Sequence, residues 1–218
     1  MLCLPPALAV AFRLLLPWLR DLLLQRWLFD LAPYFPLIAS GLLLIPAMIG
    51  GVITGFMLLD ERDEGVWSAV AVTPISLARW LGYRLALPVA VGTILAIATY
   101  PLAGVAPLRI VDLVAISIVA SLLAPITALF LAVFAENKVS GFAMIKILNA
   151  VNLLPIMSWF VEPPLRWVGA AIPSYWPMRM VWNAASGQGY IGEAAAGLAV
   201  SAVVVTLLAR RFEHLTHR

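Results

Sequence analysis

From Tyr34 to Leu59 the chain runs without one charged side chain. A helix rises about 1.5 Å per residue, so this run reaches roughly 39 Å, longer than the ~30 Å hydrocarbon core of a bilayer. Five further apolar stretches, at 2–19, 85–104, 111–134, 141–160 and 191–208, approach or match the length a crossing needs. Together with 34–59 they take up more than half of the 218 residues. Composition agrees: 63% of residues are hydrophobic and 11% charged, where a soluble domain averages about 45–50% and about 25%. Disorder, nucleic-acid binding and an ordinary soluble enzyme are excluded. The fold class is an all-α integral membrane protein, a bundle of about six transmembrane helices. The longest polar stretch, 60–84, is too short for a separate soluble domain, so 1–218 reads as one transmembrane domain.

The net charge of +3 and the pI near 9.4 belong to short basic loops, which face the cytoplasm. With loop 60–84 inside, that side holds Arg62, Arg79, Arg84, Lys138, Arg210, Arg211 and Arg218, against Arg20, Arg26, Arg109, Arg166 and Arg179 outside. The C-terminus then lies inside as well. Trp159, Trp167, Tyr175, Trp176, Trp182 and Tyr190 gather around the segment before the last span, as in an aromatic belt at the outer interface. The stretch 2–19 carries Pro5, Pro6, Arg13 and Pro17. It has neither a basic lead nor a small-x-small cleavage site, so it reads as a short span rather than a signal peptide.

Several chemistries lack their groups. Cys3 is the single cysteine, and both histidines, His214 and His217, lie close to the C-terminus. No disulfide, multi-cysteine metal site or intramembrane Ser-His arrangement is available within the chain. A phosphate-binding loop needs G-x-x-x-x-G-K-[ST]. The two lysines, Lys138 and Lys146, follow Asn137 and Ile145, so neither fits. ATP-driven work would need a second polypeptide.

The apolar run 34–59 ends in five consecutive charges, Asp60-Glu61-Arg62-Asp63-Glu64, and then Gly65. Val66 to Val72 is apolar but too short to span, and Thr73-Pro74 is a good N-cap and first-turn pair for the next helix. Gly65 can stop the long helix. A charged turn that keeps two helix ends in water and a short helix that docks on something else are both compatible with these residues.

Here the residues resemble a family. Gly55-Phe56-x3-Asp60-Glu61-Arg62-Asp63-Glu64-Gly65, followed after seven residues by Thr73-Pro74-Ile75-Ser76, is similar to the loop after the second span of ABC-2-type transporter permeases. The likeness is closest to the fluoroquinolone-export permease subgroup. Tyr83-Arg84-Leu85-Ala86-Leu87-Pro88, Ala135-Glu136-Asn137-Lys138-Val139-x-Gly141-Phe142 and Pro173-Ser174-Tyr175-Trp176-Pro177 extend it from about residue 10 to the C-terminus. The resemblance implies a type V exporter-like bundle of six spans. It implies a pair of permeases, homodimer or heterodimer, seated on ATP-binding subunits that carry the ATP and Mg. The location implied is a bacterial plasma membrane, with a drug-like, hydrophobic substrate. The loop after the second span would be the coupling element: Asp60, Glu61, Arg62, Glu64, Gly65, Trp67, Thr73 and Pro74 would meet the ATPase, with Val66, Trp67, Val70 and Val72 giving apolar docking area. Such permeases open with a cytoplasmic amphipathic helix and a complete first span. Met1 falls inside the matching stretch, so the first span is expected to be short or truncated.

Within the spans, Lys146, Asn149 and Asn152 share one broad helix face. An ionisable residue there is a candidate for the transport pathway. Snorkelling of Lys146 and interhelical hydrogen bonding by the asparagines fit the same residues. Asp112 and Glu193 fall near span ends, where water is close. Gly51-x3-Gly55 is a seam for close helix approach, within the chain or between copies. Pro36, Pro46, Pro88, Pro125 and Pro155 are bends or hinges. The outer segment 162–190 is expected to form two short interfacial helices, Leu165–Ile172 and Trp176–Ala185. A stand-alone secondary transporter and a lipid-exporter component remain as alternatives. The former usually carries coupling carboxylates near mid-membrane, and none is seen here.

Overall fold

The computed structural model describes residues 3–67 and 77–216. Among these the regular elements are all helical. They are α1 (Leu4–Trp27), α2 (Phe35–Asp63), α3 (Leu77–Ala103), α4 (Ile110–Ser121), α5 (Leu123–Phe134), α6 (Lys138–Met157), α7 (Tyr175–Ala185) and α8 (Ile191–Thr216). Short 3-10 turns lie at Ala32–Tyr34, Ser158–Phe160 and Leu165–Ala171. Five helical segments are long and apolar enough to cross a membrane: Ala32–Asp63, Arg79–Ala103, Ile110–Phe134, Lys138–Phe160 and Ile191–Leu215.

The stretch 2–19, read above as a short first span, is not among the five. Its helix runs on to Trp27, taking in Arg13, Arg20, Asp21 and Arg26. Phe12, Arg13, Leu16 and Pro17 stand beside Pro101 to Val105, at the far end of α3. Beyond that end, Asp30 accepts hydrogen bonds from the Ala32 amide and from Arg20, each at 3.0 Å, closing the turn into α2.

α2 is the central element. It packs on α3, α5, α7 and, at its ends, on α4 and α6. A Cβ added to Gly51 would lie 2.6 Å from both the Ala124 carbonyl oxygen and the Thr127 Cβ, and one on Gly55 would lie 2.7 Å from Leu131 Cδ1. The Gly51-x3-Gly55 pattern is thus a seam inside the chain, where α2 meets α5 backbone to backbone. α4 and α5 form one crossing with a break at Leu122. Pro125 has no N–H for the Ser121 carbonyl, and Leu122 turns instead onto Val119 at 3.3 Å. The main core combines Ala39, Leu43, Leu44 and Ala47 of α2 with Ile116, Ala120 and Leu123 of the α4–α5 crossing and Met178, Met180 and Val181 of α7.

The two short helical elements expected in 162–190 are present, as the 3-10 turn Leu165–Ala171 and α7. Tyr175, Met178, Met180 and Val181 are all 0–1% exposed, so the helix is inserted into the bundle against α2, α4 and α8. Its aromatics need buried partners to be there. Trp182 Nε1 donates to Ser40 Oγ at 3.1 Å and its ring meets Trp159 edge-on at 4.8 Å. Around it the polar groups are matched: Asp112 holds Arg109 (2.7 Å) and the Tyr190 hydroxyl (2.7 Å), and Glu193 accepts from Asn183 (2.8 Å). The two acids placed near water by sequence are therefore protein-bound, and Asp112 is 4% exposed.

The seam can be tested by substitution. Gly51→Ala should lower the melting point of the detergent-solubilised protein, by about 1–3 kcal/mol of overpacking. Gly41→Ala, with nothing within 4 Å of the added carbon, should leave it unchanged or slightly higher. Equal melting of the two variants would refute the seam. Stability should also depend on pH. Burial first and then the Asp112 hydrogen bond push the Tyr190 phenol up to about 12. Its folded value lies above the ordinary value of about 10, so its contribution is complete below about pH 10 and is lost as the pH rises toward about 12. Melting should fall across that window, and Tyr190→Phe should flatten the fall.

Candidate functional site

The charged run is a continuation of α2, which extends to Asp63 and is capped at Glu64. The Glu64 amide donates to Asp60 and the Gly65 amide to Arg62. Gly65 then turns the chain with φ +73 and open space where a side chain would sit. The glycine is needed for its left-handed backbone, not for room.

Consecutive residues on a helix point about 100° apart, so the four charges of 60–63 take four directions. Asp60 meets Lys138 at the start of α6, at 2.8 Å. Glu61 pairs with Arg84 of α3. Arg62 donates to the carbonyl oxygens of Ala135, at 2.9 Å, and Glu136, a favourable place for a cation beyond the C-terminus of α5. Asp63 lies 3.7 Å from Arg62 Nε. Glu64 and Gly65 are exposed. The α5–α6 turn that receives Arg62 is itself held by a capping box, with Asn137 Oδ1 accepting from the Ser140 amide and Ser140 Oγ from the Asn137 amide. Lys138 at a helix start opposes the dipole, and the Asp60 carboxylate offsets it.

After Gly65 the chain returns inward. Trp67 is buried, and its ring stands edge-on to Phe212 near the end of α8, centroids 4.5 Å apart. Arg62 lies over the same indole at 5.9 Å. Leu58, Leu81, Leu129 and Ala132 complete this second core. Trp67, named above as a docking aromatic, is thus packed inside the chain. Thr73 and Pro74, with Val70 and Val72, lie outside the described residues.

The structure gathers Asp60, Glu61, Arg62, Glu64, Gly65 and Trp67 at one end of the bundle. It does not gather Lys146, Asn149 and Asn152 into one cluster. Lys146 and Asn149 are exposed on α6. Asn152 is half-buried, accepts a hydrogen bond from Ser174 Oγ at 2.5 Å, and lines an apolar cavity of about 340 Å³. Met48, Thr127, Phe130 and Leu208 share that cavity.

Sequence reasoning does not assign three groups that complete the charged end. Arg84 is visible as a lone cation inside the start of an apolar helix, a position that calls for a partner. Phe212 is visible as the one phenylalanine in a charged tail. The carbonyls that bind Arg62 carry no side-chain signal at all.

Comparison with known proteins places the chain. The family model described as "Fluoroquinolones export permease protein Rv2686c-like" matches residues 1–209. Two curated proteins of Mycobacterium tuberculosis, the "Fluoroquinolones export permease protein MT2760" of strain CDC 1551 and the "Fluoroquinolones export permease protein Rv2686c" of strain H37Rv, are each 33% identical over 202 residues. The match covers 91% of this chain and 80% of each relative. No solved structure matches. With five helices able to cross a membrane and a family model spanning nearly its whole length, the chain belongs to the Rv2686c-like family of fluoroquinolones export permease proteins.

Proposed function

We propose that this chain is the membrane-spanning permease subunit of an ATP-driven exporter of fluoroquinolone-type or similar lipophilic drugs. The observation that carries the reading is the construction of the charged end of α2. One short segment, Asp60 to Trp67, is tied to α3, to the α5–α6 turn, to α6 and to α8. A push on it would move four elements together. A separate ATP-binding subunit, carrying ATP and Mg, would press there. The exposed Glu64 and Gly65, with residues 68–76 including Thr73 and Pro74, would form its contact. The chain's own sequence offers no phosphate-binding loop, in agreement with a transport rather than a catalytic role. In this reading the charged end and the C-terminus face the cytoplasm of a bacterial plasma membrane.

A second permease copy, identical or related, fits the open face of α6. Only 11% of that crossing's apolar stretch is buried, and both Lys146 and Asn149 are exposed on it. A lysine at the centre of a span costs about 2.5–3.5 kcal/mol on insertion scales. An aqueous path between two copies would keep the ammonium hydrated and lower that cost. Lys146 and Asn149 then border the drug pathway, while Asn152 holds α6 to the start of α7. ATP does work only if drug affinity differs between the inward- and outward-open states. Repacking of the α6 face is where that difference would arise.

In cells expressing the permease with its ATP-binding subunit, Glu61→Ala and Gly65→Pro should raise accumulation of a fluorescent fluoroquinolone to the level of cells without the transporter. Membrane content should be retained. Proline holds φ at about −65°, which Gly65 cannot adopt while keeping its turn, and this variant leaves the Glu61–Arg84 pair intact. Undiminished export in both variants would refute the coupling role. Export that survives ATP depletion with the proton gradient held would instead establish a secondary transporter.

A further inference from the structure

Below the point where Gly50 touches Pro88, at 3.6 Å from its would-be Cβ, α2 and α3 diverge and leave a groove of about 170 Å³. Its walls are apolar, with Ile53, Met57, Leu87 and Val91 among them, and its end is the Glu61–Arg84 pair. From Gly50 to Glu61 it runs roughly 16 Å, about the ~15 Å that one leaflet contributes to a ~30 Å core. The outer wall faces away from the bundle: Tyr83 is 79% and Leu87 66% exposed. The volume is below the ~300–1,000 Å³ of pockets for drug-sized ligands. A chain one methylene wide fits where a fused ring system does not.

The polar end is also specific. One Glu61 oxygen engages Arg84, and the other is buried with no hydrogen-bond partner among the described residues. A buried carboxylate oxygen left unmatched is costly, so an occupant that brings a donor is favoured over one that does not. Arg84 keeps about a third of its side chain exposed beside it. An anion alone would satisfy Arg84 and repel Glu61; a cation alone would do the reverse. A zwitterion with a donor-bearing cation next to an anion matches both.

We propose that this groove binds one bilayer phospholipid of the phosphatidylethanolamine kind. One acyl chain lies between α2 and α3, the phosphate accepts from Arg84, and the primary ammonium donates to the second oxygen of Glu61. Arg84 with Tyr83 forms the headgroup shelf. The lipid holds the α2–α3 spacing at the end where the charged segment begins. The site needs neither drug nor nucleotide.

The test uses the full-length permease alone, delipidated in mild detergent and equilibrated with mixed micelles of equal phosphatidylethanolamine and phosphatidylcholine. Native mass spectrometry then counts the retained lipid. Phosphatidylcholine has the same phosphate but no N–H donor. Retention of phosphatidylethanolamine should exceed it about 10-fold, the worth of one charge-assisted hydrogen bond. Glu61→Gln should bring the two lipids to near parity, and Arg84→Gln should lower retention of both. Leu87→Trp, which fills the groove from its exposed wall without touching the ion pair, should remove tight retention altogether. Equal retention of the two lipids by the unmodified protein would overturn the proposal, as would a preference that survives Leu87→Trp. No ATPase and no drug are present, so a negative result here leaves the exporter reading standing, and a failure of export leaves this one standing.

Discussion

The approach of α2 to α5 at Gly51 and Gly55 sets the geometry on which the rest of the bundle depends. In hydrocarbon, two apolar helices gain nothing by leaving lipid for each other except better packing. Contact distance is therefore the main source of cohesion, and two glycines one turn apart allow backbones to touch, with an added Cβ only 2.6 Å from Ala124 and Thr127. Once α2 is fastened there, its 29 residues link the two ends of the bundle. One end carries the core built around α7, and the other carries five charges clear of the apolar region.

The two ends solve the same electrostatic problem in different ways. At the α7 end both acids are held inside the protein: Asp112 by Arg109 and Tyr190, Glu193 by Asn183 and Arg179, while Trp182 donates to Ser40. At the charged end three residues of a single run, Asp60, Glu61 and Arg62, reach the start of α6, α3 and the α5–α6 turn, and a turn at Gly65 leads to residues 68–76. The second arrangement gathers several elements onto one segment, and the coupling role proposed for the charged end rests on it. Trp67 belongs to that segment's root, because its indole packs on Phe212 and beneath Arg62.

Much of the fold was legible because a bilayer leaves few alternatives. Every backbone group must be bonded within its own segment, so the uncharged run 34–59 had to be a helix, and the crossings after it could be counted. The function was legible through one stretch, Asp60 to Gly65, whose charges close an apolar run. What could not be read was pairing. The pattern around Glu61 points outward, to an ATPase, yet half of its carboxylate binds Arg84. Lys146, Asn149 and Asn152 share a helical face, but a face of about 100° is wide enough for two of them to stay exposed while the third is taken by Ser174. The helix that holds most of 2–19 carries Arg13, Arg20, Asp21 and Arg26 and is not among the five segments long and apolar enough to cross.

By itself the sequence determined the solvent of this protein, its helical class, the positions of most crossings and the segment where charge collects. Each of these follows from local hydropathy summed over the length of one crossing. Only the tertiary structure decided that α7 packs into the bundle, that the glycine seam is internal, and that Asp60, Glu61 and Arg62 each have a partner on another element. Those outcomes depend on which helix stands next to which. That is settled by shape and by matching of polar groups far apart in the chain, as between Glu61 and Arg84 or Ser40 and Trp182, a separation at which no local pattern carries information.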